Sequence, residues 1–146
     1  PIINYNDAVS ESENRRMELA ALAKSQAEVH ECVDNDETAS LVACLVHAET
    51  LLLLTSVDGI YTNPADSSTI IEEIAGKDAY ELVENIESYK KYCEGASRKG
   101  ANGAKAKLEY AKQAAAQGTR VLIANAKYSI REILAGEVRC TKIHIR

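Results

Sequence analysis

Apolar and polar residues follow two different periods along this chain, and each change of period marks a change of secondary structure. Apolar residues run through 50–54 and 121–124, which predicts strands at residues 50–54 and 119–124 that are covered on both faces of a parallel sheet. Residues 138–145 predict a terminal strand, and residues 1–4 and 69–74 read as further short strands. Turn residues, notably Asp58-Gly59 and Asn63-Pro64, separate these segments.

Between the strands, apolar residues recur three and four positions apart, which predicts helices. The predicted helices cover residues 11–31, 36–48, 77–93, 104–117 and 129–135, and Gly118 ends the fourth. In the second, Asp34 or Asn35 is expected to cap the amino terminus. Its inward face is expected to comprise Leu41, Val42, Leu45 and Val46.

Strands that alternate with helices predict an α/β fold in which a mostly parallel sheet is sandwiched by helices. A length of 146 residues suits one domain, without a second. The chain begins at Pro1 in a strand-like segment, so we expect it to be a partial domain.

Composition narrows the functional classes. The chain is 46% hydrophobic and 27% charged with a formal net charge of −5, which indicates neither a nucleic-acid surface nor a membrane protein. Its longest apolar runs are far shorter than a membrane helix requires. Cys32, Cys44, Cys93 and Cys140 form no C-x-x-C pair, so we expect reduced, mostly buried thiols and a cytoplasmic protein, with no metal site.

Polar residues cluster where the predicted strands end and the helices begin. The segment Asn4-Tyr5-Asn6-Asp7 could bind a small polar substrate, although a turn is the simpler interpretation. The triplet Asp34-Asn35-Asp36 offers more side chains than one helix cap uses. Thr55 and Ser56 follow the first buried strand, where open α/β sheets bind ligands.

A glycine-containing basic loop, residues 100–107, enters the alanine-rich helix. Backbone N–H groups, the helix amino terminus and lysine together suit ATP phosphates, although such a loop alone is a weak signal.

Taken in order, these motifs resemble the amino acid kinase family. The sequence Pro-Ile-Ile-Asn-x-Asn-Asp-Ala-Val, the D-N-D triplet and the D-G-x-Y-T turn at residues 58–62 resemble its members that phosphorylate glutamate. Residues 100–107 resemble the family's G-x-G-G-M-x-T-K signature, with Asn102, Ala104 and Ala106 in place of glycine, methionine and threonine. The resemblance corresponds to the carboxyl-terminal, nucleotide-binding half of the kinase domain.

This resemblance implies roles for individual residues. Lys107 would stabilise the transferring phosphoryl group, and Asp36 would orient catalytic lysines. Asp7 and Asn35 would hold the substrate glutamate. The nucleotide would contact Thr55, Ser56, Ala101, Asn102, Gly103, Ala104, Lys105, Ala106 and Lys107.

The implied reaction is transfer of phosphate from ATP, with magnesium, to the 5-carboxylate of L-glutamate, the first step of proline biosynthesis. Implied partners are a second copy of the chain and the amino-terminal half of the domain. Two alternatives stay open. One is a catalytically inactive module of the same fold, and the other is a family member acting on aspartate or uridylate.

Overall fold

A computed structural model describes residues 35–93 and 103–146. The strand expected at residues 1–4 and the helix expected at 11–31 lie outside the described residues. The helices are α1 (Asn35–Leu45), α2 (Ala79–Lys90), α3 (Gly103–Ala116) and α4 (Ile130–Ala135). The strands are β1 (Thr50–Thr55), β2 (Glu73–Gly76), β3 (Arg120–Asn125) and β4 (Thr141–Ile145). Short 3-10 turns cover Ser67–Thr69 and Lys91–Cys93.

The four described strands form one sheet in the order β1-β3-β4-β2. β1 pairs with β3 in parallel, and β2 pairs with β4 in parallel. The central pair, β3 with β4, is antiparallel. The predicted α/β fold with a mostly parallel sheet is therefore confirmed, and the antiparallel centre is a feature that the apolar pattern did not predict.

Helices α1, α2 and α3 cover one face of the sheet and form the main core with it. Leu82 and Ile86 of α2, Leu108 of α3, and Val121 and Ile123 of β3 have no exposed surface. Their burial contributes to the hydrophobic stabilisation on this face. Ala111, Ala114 and Ala115 of α3 are also fully buried, and such small side chains let α3 lie close to its neighbours.

Helix α4 covers the opposite face with a smaller cluster. Ile133 packs with Leu122, Ala124 and Cys140. The Ser129 side chain accepts a hydrogen bond from the Glu132 backbone N–H, and the Glu132 carboxylate accepts one from the Ser129 backbone in return, which forms a capping box. This pairing fixes the start of a helix that has only six residues.

The predicted inward face of α1 is wrong at Leu45 and Val46, whereas Leu41 and Val42 are half-buried. Leu45 and Val46 are 72% and 61% exposed, whereas Ser40, Ala43 and Cys44 are buried. The reason is a close contact with α3, across which the Ser40 hydroxyl donates a hydrogen bond to the Tyr110 carbonyl at 2.6 Å. A close contact of this kind favours small residues, and the buried residues of α1 are Ser40, Ala43 and Cys44.

Two strand predictions also change. β1 is buried on one face through Leu51 and Leu53, but Leu54 on the other face is 45% exposed because β1 lies at an edge of the described sheet. The strand expected at residues 69–74 begins only at Glu73, and a 3-10 turn precedes it.

The predicted burial of the cysteines is confirmed for the described residues. Cys44, Cys93 and Cys140 are free and buried, and burial raises the pKa of each thiol. Cys32 lies outside the described residues.

Candidate functional site at the strand ends

The connections between helices and strands bring several predicted site residues to one end of the sheet. Helix α1 leads directly into β1, and α3 leads directly into β3, with only a few residues between. Each helix therefore runs back along the strand that follows it, and its amino terminus lies near that strand's carboxyl end. Asn35 and Asp36 lie in the first turn of α1. Thr55 and Ser56 end β1 and begin the next turn.

Helix α3 begins with the basic segment at this same end. Gly103 is its first residue, with a φ of +54°, a conformation that glycine adopts without strain. Ala104, Lys105, Ala106 and Lys107 form the first turns. The helix dipole makes such a terminus favourable for anions.

An ion pair joins the two helix starts. The Lys107 Nζ lies 2.5 Å from Asp36 Oδ2, and the two side chains are 20% and 18% exposed. About one helical turn further along the same interface, Ser40 donates its hydrogen bond to the Tyr110 carbonyl. The two residues that the sequence indicated as catalytic, 71 positions apart, are thus in direct contact.

Beyond the carboxyl ends of β1 and β3, one buried side chain links the two following turns. Asn125 is paired in register with Thr55 and is 9% exposed. Its Nδ2 donates to the Ser56 carbonyl at 3.2 Å and to Asp58 Oδ1 at 3.0 Å. Its Oδ1 accepts from the Lys127 backbone N–H at 3.0 Å. Asn125 was not among the predicted site residues, although an amide directly after the predicted strand at residues 119–124 was a signal of the same kind as Thr55.

A second ion pair, between Asp58 and Lys127, lies beside Asn125. The Lys127 Nζ is 3.0 Å from Asp58 Oδ1 and 4.6 Å from the centre of the Tyr128 ring. Hydrogen bonding from Lys127, aided by the Asn125 amide, lowers the pKa of the Asp58 carboxyl, against a smaller opposing effect of burial. The same hydrogen bond raises the pKa of Lys127. This places a second cation near Thr55 and Ser56.

The turn after Asp58 is anchored from β4. The Thr141 hydroxyl is fully buried, accepts from the Ile60 backbone N–H at 2.8 Å and donates to the Ile71 carbonyl at 2.7 Å. A Cβ at Gly59 would lie 2.5 Å from the Thr141 hydroxyl oxygen. Glycine is therefore required at this position for the chain to pass so close to β4.

Some predicted residues cannot be placed. Asp7, Ala101 and Asn102 lie outside the described residues. Within residues 35–93 and 103–146, no group of three or more histidine, cysteine or acidic side chains could hold a metal ion. No helix in those same ranges is long and apolar enough to cross a membrane.

Comparisons with known proteins agree with this architecture. The model of the amino acid kinase family matches residues 1–125. Glutamate 5-kinase from Clostridium perfringens is 32% identical over 141 residues, covering 94% of this chain and 46% of that protein. Glutamate 5-kinase from Leifsonia xyli subsp. xyli is 36% identical over 137 residues, covering 94% and 43%. The chain thus spans less than half the length of these curated relatives.

A solved structure shares the fold. Carbamate kinase from Giardia lamblia bound to AMP-PNP superposes with a TM-score of 0.59 at 22% identity, covering 82% of this chain and 34% of that one. The family match extends over most of the sequence, and the fold agrees with it. The chain belongs to the amino acid kinase family.

Proposed function

We propose that this chain is the nucleotide-binding part, and a portion of the glutamate-binding part, of an enzyme that transfers phosphate from ATP to the 5-carboxylate of L-glutamate. The observation that carries the proposal is the Asp36–Lys107 ion pair, which joins the D-N-D helix start to the basic helix start. The similarity to glutamate 5-kinases over 94% of the chain supports the choice of substrate.

The described residues fit a nucleoside triphosphate with its magnesium ion. The amino terminus of α3 offers N–H groups to phosphate oxygens, and Lys107 adds a full positive charge. Magnesium, carried on the phosphates, would neutralise part of their charge. The Asp36 carboxylate holds the Lys107 ammonium in one orientation, so its charge is in place before negative charge develops on the transferring group.

The substrate side of the proposal rests on Asn35 and Asp7. Asn35 lies beside Asp36 in the first turn of α1, so an amino acid bound by its amide would approach the Lys107 ammonium. A carboxylate such as Asp7 suits the ammonium group of glutamate, and an amide suits its carboxylate. Catalysis would then consist of positioning and charge stabilisation, without a covalent intermediate.

The test is a complementation assay. The 146-residue chain is mixed with the part of the Clostridium perfringens relative that it does not span, and ADP release is measured with and without glutamate. We expect release that depends on both substrates, and none from the chain alone. Lys107→Ala should lower kcat by about 10²-fold, the effect of removing one preorganised charge-stabilising donor.

Lys112→Ala provides the matched control. Lys112 lies on the same helix and is also ion-paired, to Glu87 and Glu109, but it is more than one turn further from the helix start. Its replacement should leave kcat within about twofold, since surface ion pairs contribute little. An equal loss in both variants would contradict the role of Lys107. Assays with aspartate or uridylate in place of glutamate test the alternative that the enzyme phosphorylates one of those substrates.

A second candidate is a nucleotide-binding module without catalysis. It is favoured by Ala104 and Ala106, which stand where the family's phosphate-loop signature has methionine and threonine. Binding of magnesium-ATP without glutamate-dependent turnover in the complemented assay would select it.

A further inference from the structure

We propose that Asn125 is a positioning residue of the nucleotide site, which it shapes by holding together the turns that follow β1 and β3. This inference rests on the proposed function, because it assumes that nucleotide binds at these strand ends. Asn125 acts through the groups that it holds, not by contact with the ligand.

The hydrogen bonds of Asn125 show why it acts indirectly. Both N–H groups of its amide are used, one on the Ser56 carbonyl and one on the Asp58 carboxylate. Its oxygen accepts from the backbone of Lys127. A side chain that is nine-tenths buried and donates both protons to the protein has no donor left for a phosphate or a base.

The position of Asn125 is where the backbone pairing stops. The β1–β3 ladder ends at Thr55 and Asn125, with a last backbone hydrogen bond from the Ala126 N–H to the Thr55 carbonyl at 2.9 Å. Past this point, the Asn125 amide links Ser56 and Asp58 to the second turn. The Asp58–Lys127 ion pair closes the same ring of contacts.

This ring fixes two features that matter to an anionic ligand. It fixes the Ser56 backbone next to Thr55, and it holds the Lys127 ammonium near the same strand ends as the start of α3. The energy of binding depends on such groups being in place beforehand, because ordering them on binding would offset part of the affinity.

Among side chains of this size, only asparagine offers both the two amide protons and the carbonyl oxygen that these three hydrogen bonds use. Asn125→Asp keeps the size and the acceptor for the Lys127 N–H, but turns both donors into acceptors. The new carboxylate would then face the Ser56 carbonyl and the Asp58 carboxylate, 3.0 to 3.2 Å away. Like charges at that distance repel, so the two turns should separate.

The experiment measures the affinity of the 146-residue chain for magnesium-ATP by titration calorimetry. Asn125→Asp should weaken it by about tenfold or more, comparable with the loss of a hydrogen bond to a charged group. Asn85→Asp is the matched control, since Asn85 is also partly buried and donates to a backbone carbonyl, that of Ala75, at 2.8 Å. Asn85 ties α2 to β2, so its variant should bind magnesium-ATP within about twofold of the parent chain.

A second variant and a second measurement separate positioning from loss of the fold. Asn125→Ser replaces the two amide protons with a single hydroxyl proton on a shorter side chain, so it cannot donate to both Ser56 and Asp58, and it adds no charge; it should also weaken binding. Amide hydrogen exchange should accelerate in residues 56–61 of both Asn125 variants but not in residues 73–76, which pair with β4.

Equal affinities in the Asn125 and Asn85 variants would overturn this inference while leaving the proposed function intact. Acceleration of exchange throughout the chain, with lost binding, would also overturn it and assign Asn125 a purely structural role. A parent chain that binds no magnesium-ATP would instead refute the nucleotide site itself.

Discussion

Removing the Asp36–Lys107 ion pair should reveal a measurable coupling between α1 and α3. At an effective dielectric constant of about 20, opposite unit charges 2.5 Å apart attract by about 7 kcal/mol. Solvent and salt around the partly exposed pair screen most of that attraction. Because each side chain keeps about a fifth of its surface exposed, we expect a net coupling free energy of about 1–2 kcal/mol, above the range of fully exposed pairs.

The assay is a double-mutant cycle with Asp36→Asn, Lys107→Met and the combined variant. The chain has no tryptophan, so urea unfolding is followed by far-ultraviolet circular dichroism. The coupling free energy is the sum of the changes in unfolding free energy in the two single variants minus the change in the double variant. A parallel cycle on Lys77 and Glu81, 3.6 Å apart and 79% and 42% exposed, should give no more than about 0.5 kcal/mol. Equal couplings in the two cycles would refute the reasoning.

Three further predictions concern the fold and the Asp58 turn. Leu82→Ala, at a side chain with no exposed surface, should lower the unfolding free energy by about 2–5 kcal/mol in the same urea titration. Leu45→Ala, at a position that is 72% exposed, should change it by less than about 0.5 kcal/mol. Gly76→Ala should lower it by about 2–3 kcal/mol, because the added Cβ would lie 2.3 Å from the Leu82 backbone nitrogen. At Gly118, φ is +93° and a Cβ would meet no described atom within 4 Å, so Gly118→Ala should lower the unfolding free energy by only about 1 kcal/mol. Equal decreases in the Gly76 and Gly118 variants would contradict the steric argument. Since the pKa of Asp58 lies below its ordinary value of 3.8, its contribution to stability is complete above that value and is lost as the pH falls through the folded pKa. The stability advantage of the parent over Asp58→Asn should therefore shrink as the pH falls below 3.8 and through the folded pKa, and a constant difference would show that Lys127 does not stabilise the carboxylate.

Sequence periodicity located most elements because each carries its own apolar pattern. The stripe that includes Leu82 and Ile86 predicted α2, and the run at residues 119–124 predicted β3 within one residue. The inward face of α1 could not be predicted in this way. It depends on the alanines of α3, which favour contact with Ser40 and Ala43 over the larger Leu45 and Val46.

The antiparallel pairing of β3 and β4 follows from the length of α4. A helix of six residues is about 9 Å long, much shorter than a strand of similar residue count, so it cannot carry the chain back across the sheet. β4 therefore starts near the end at which β3 finishes. The predicted helix at residues 129–135 contained this information, although the alternation of strands and helices favoured a parallel arrangement.

The candidate site, like the fold, could be predicted from the sequence only in part. Family motifs led to Asp36 and Lys107, and their contact across 71 residues is present in the structure. The roles of these residues stay predictions. Asn125 carries no family motif in the sequence, and its partners Ser56 and Asp58 lie 67 to 69 positions away, so its importance emerges only from the fold.

The three buried thiols described above give the molecule built-in reporters of local opening. Cys44 lies in α1, Cys93 follows α2, and Cys140 belongs to the smaller cluster under α4. A thiol reagent reaches such a group only when the surrounding element opens, so the labelling rate at each position measures the free energy of that opening. With Cys32 replaced by serine, added nucleotide should slow labelling first at the elements that form its site, and the order of protection would map the site without any measurement of catalysis.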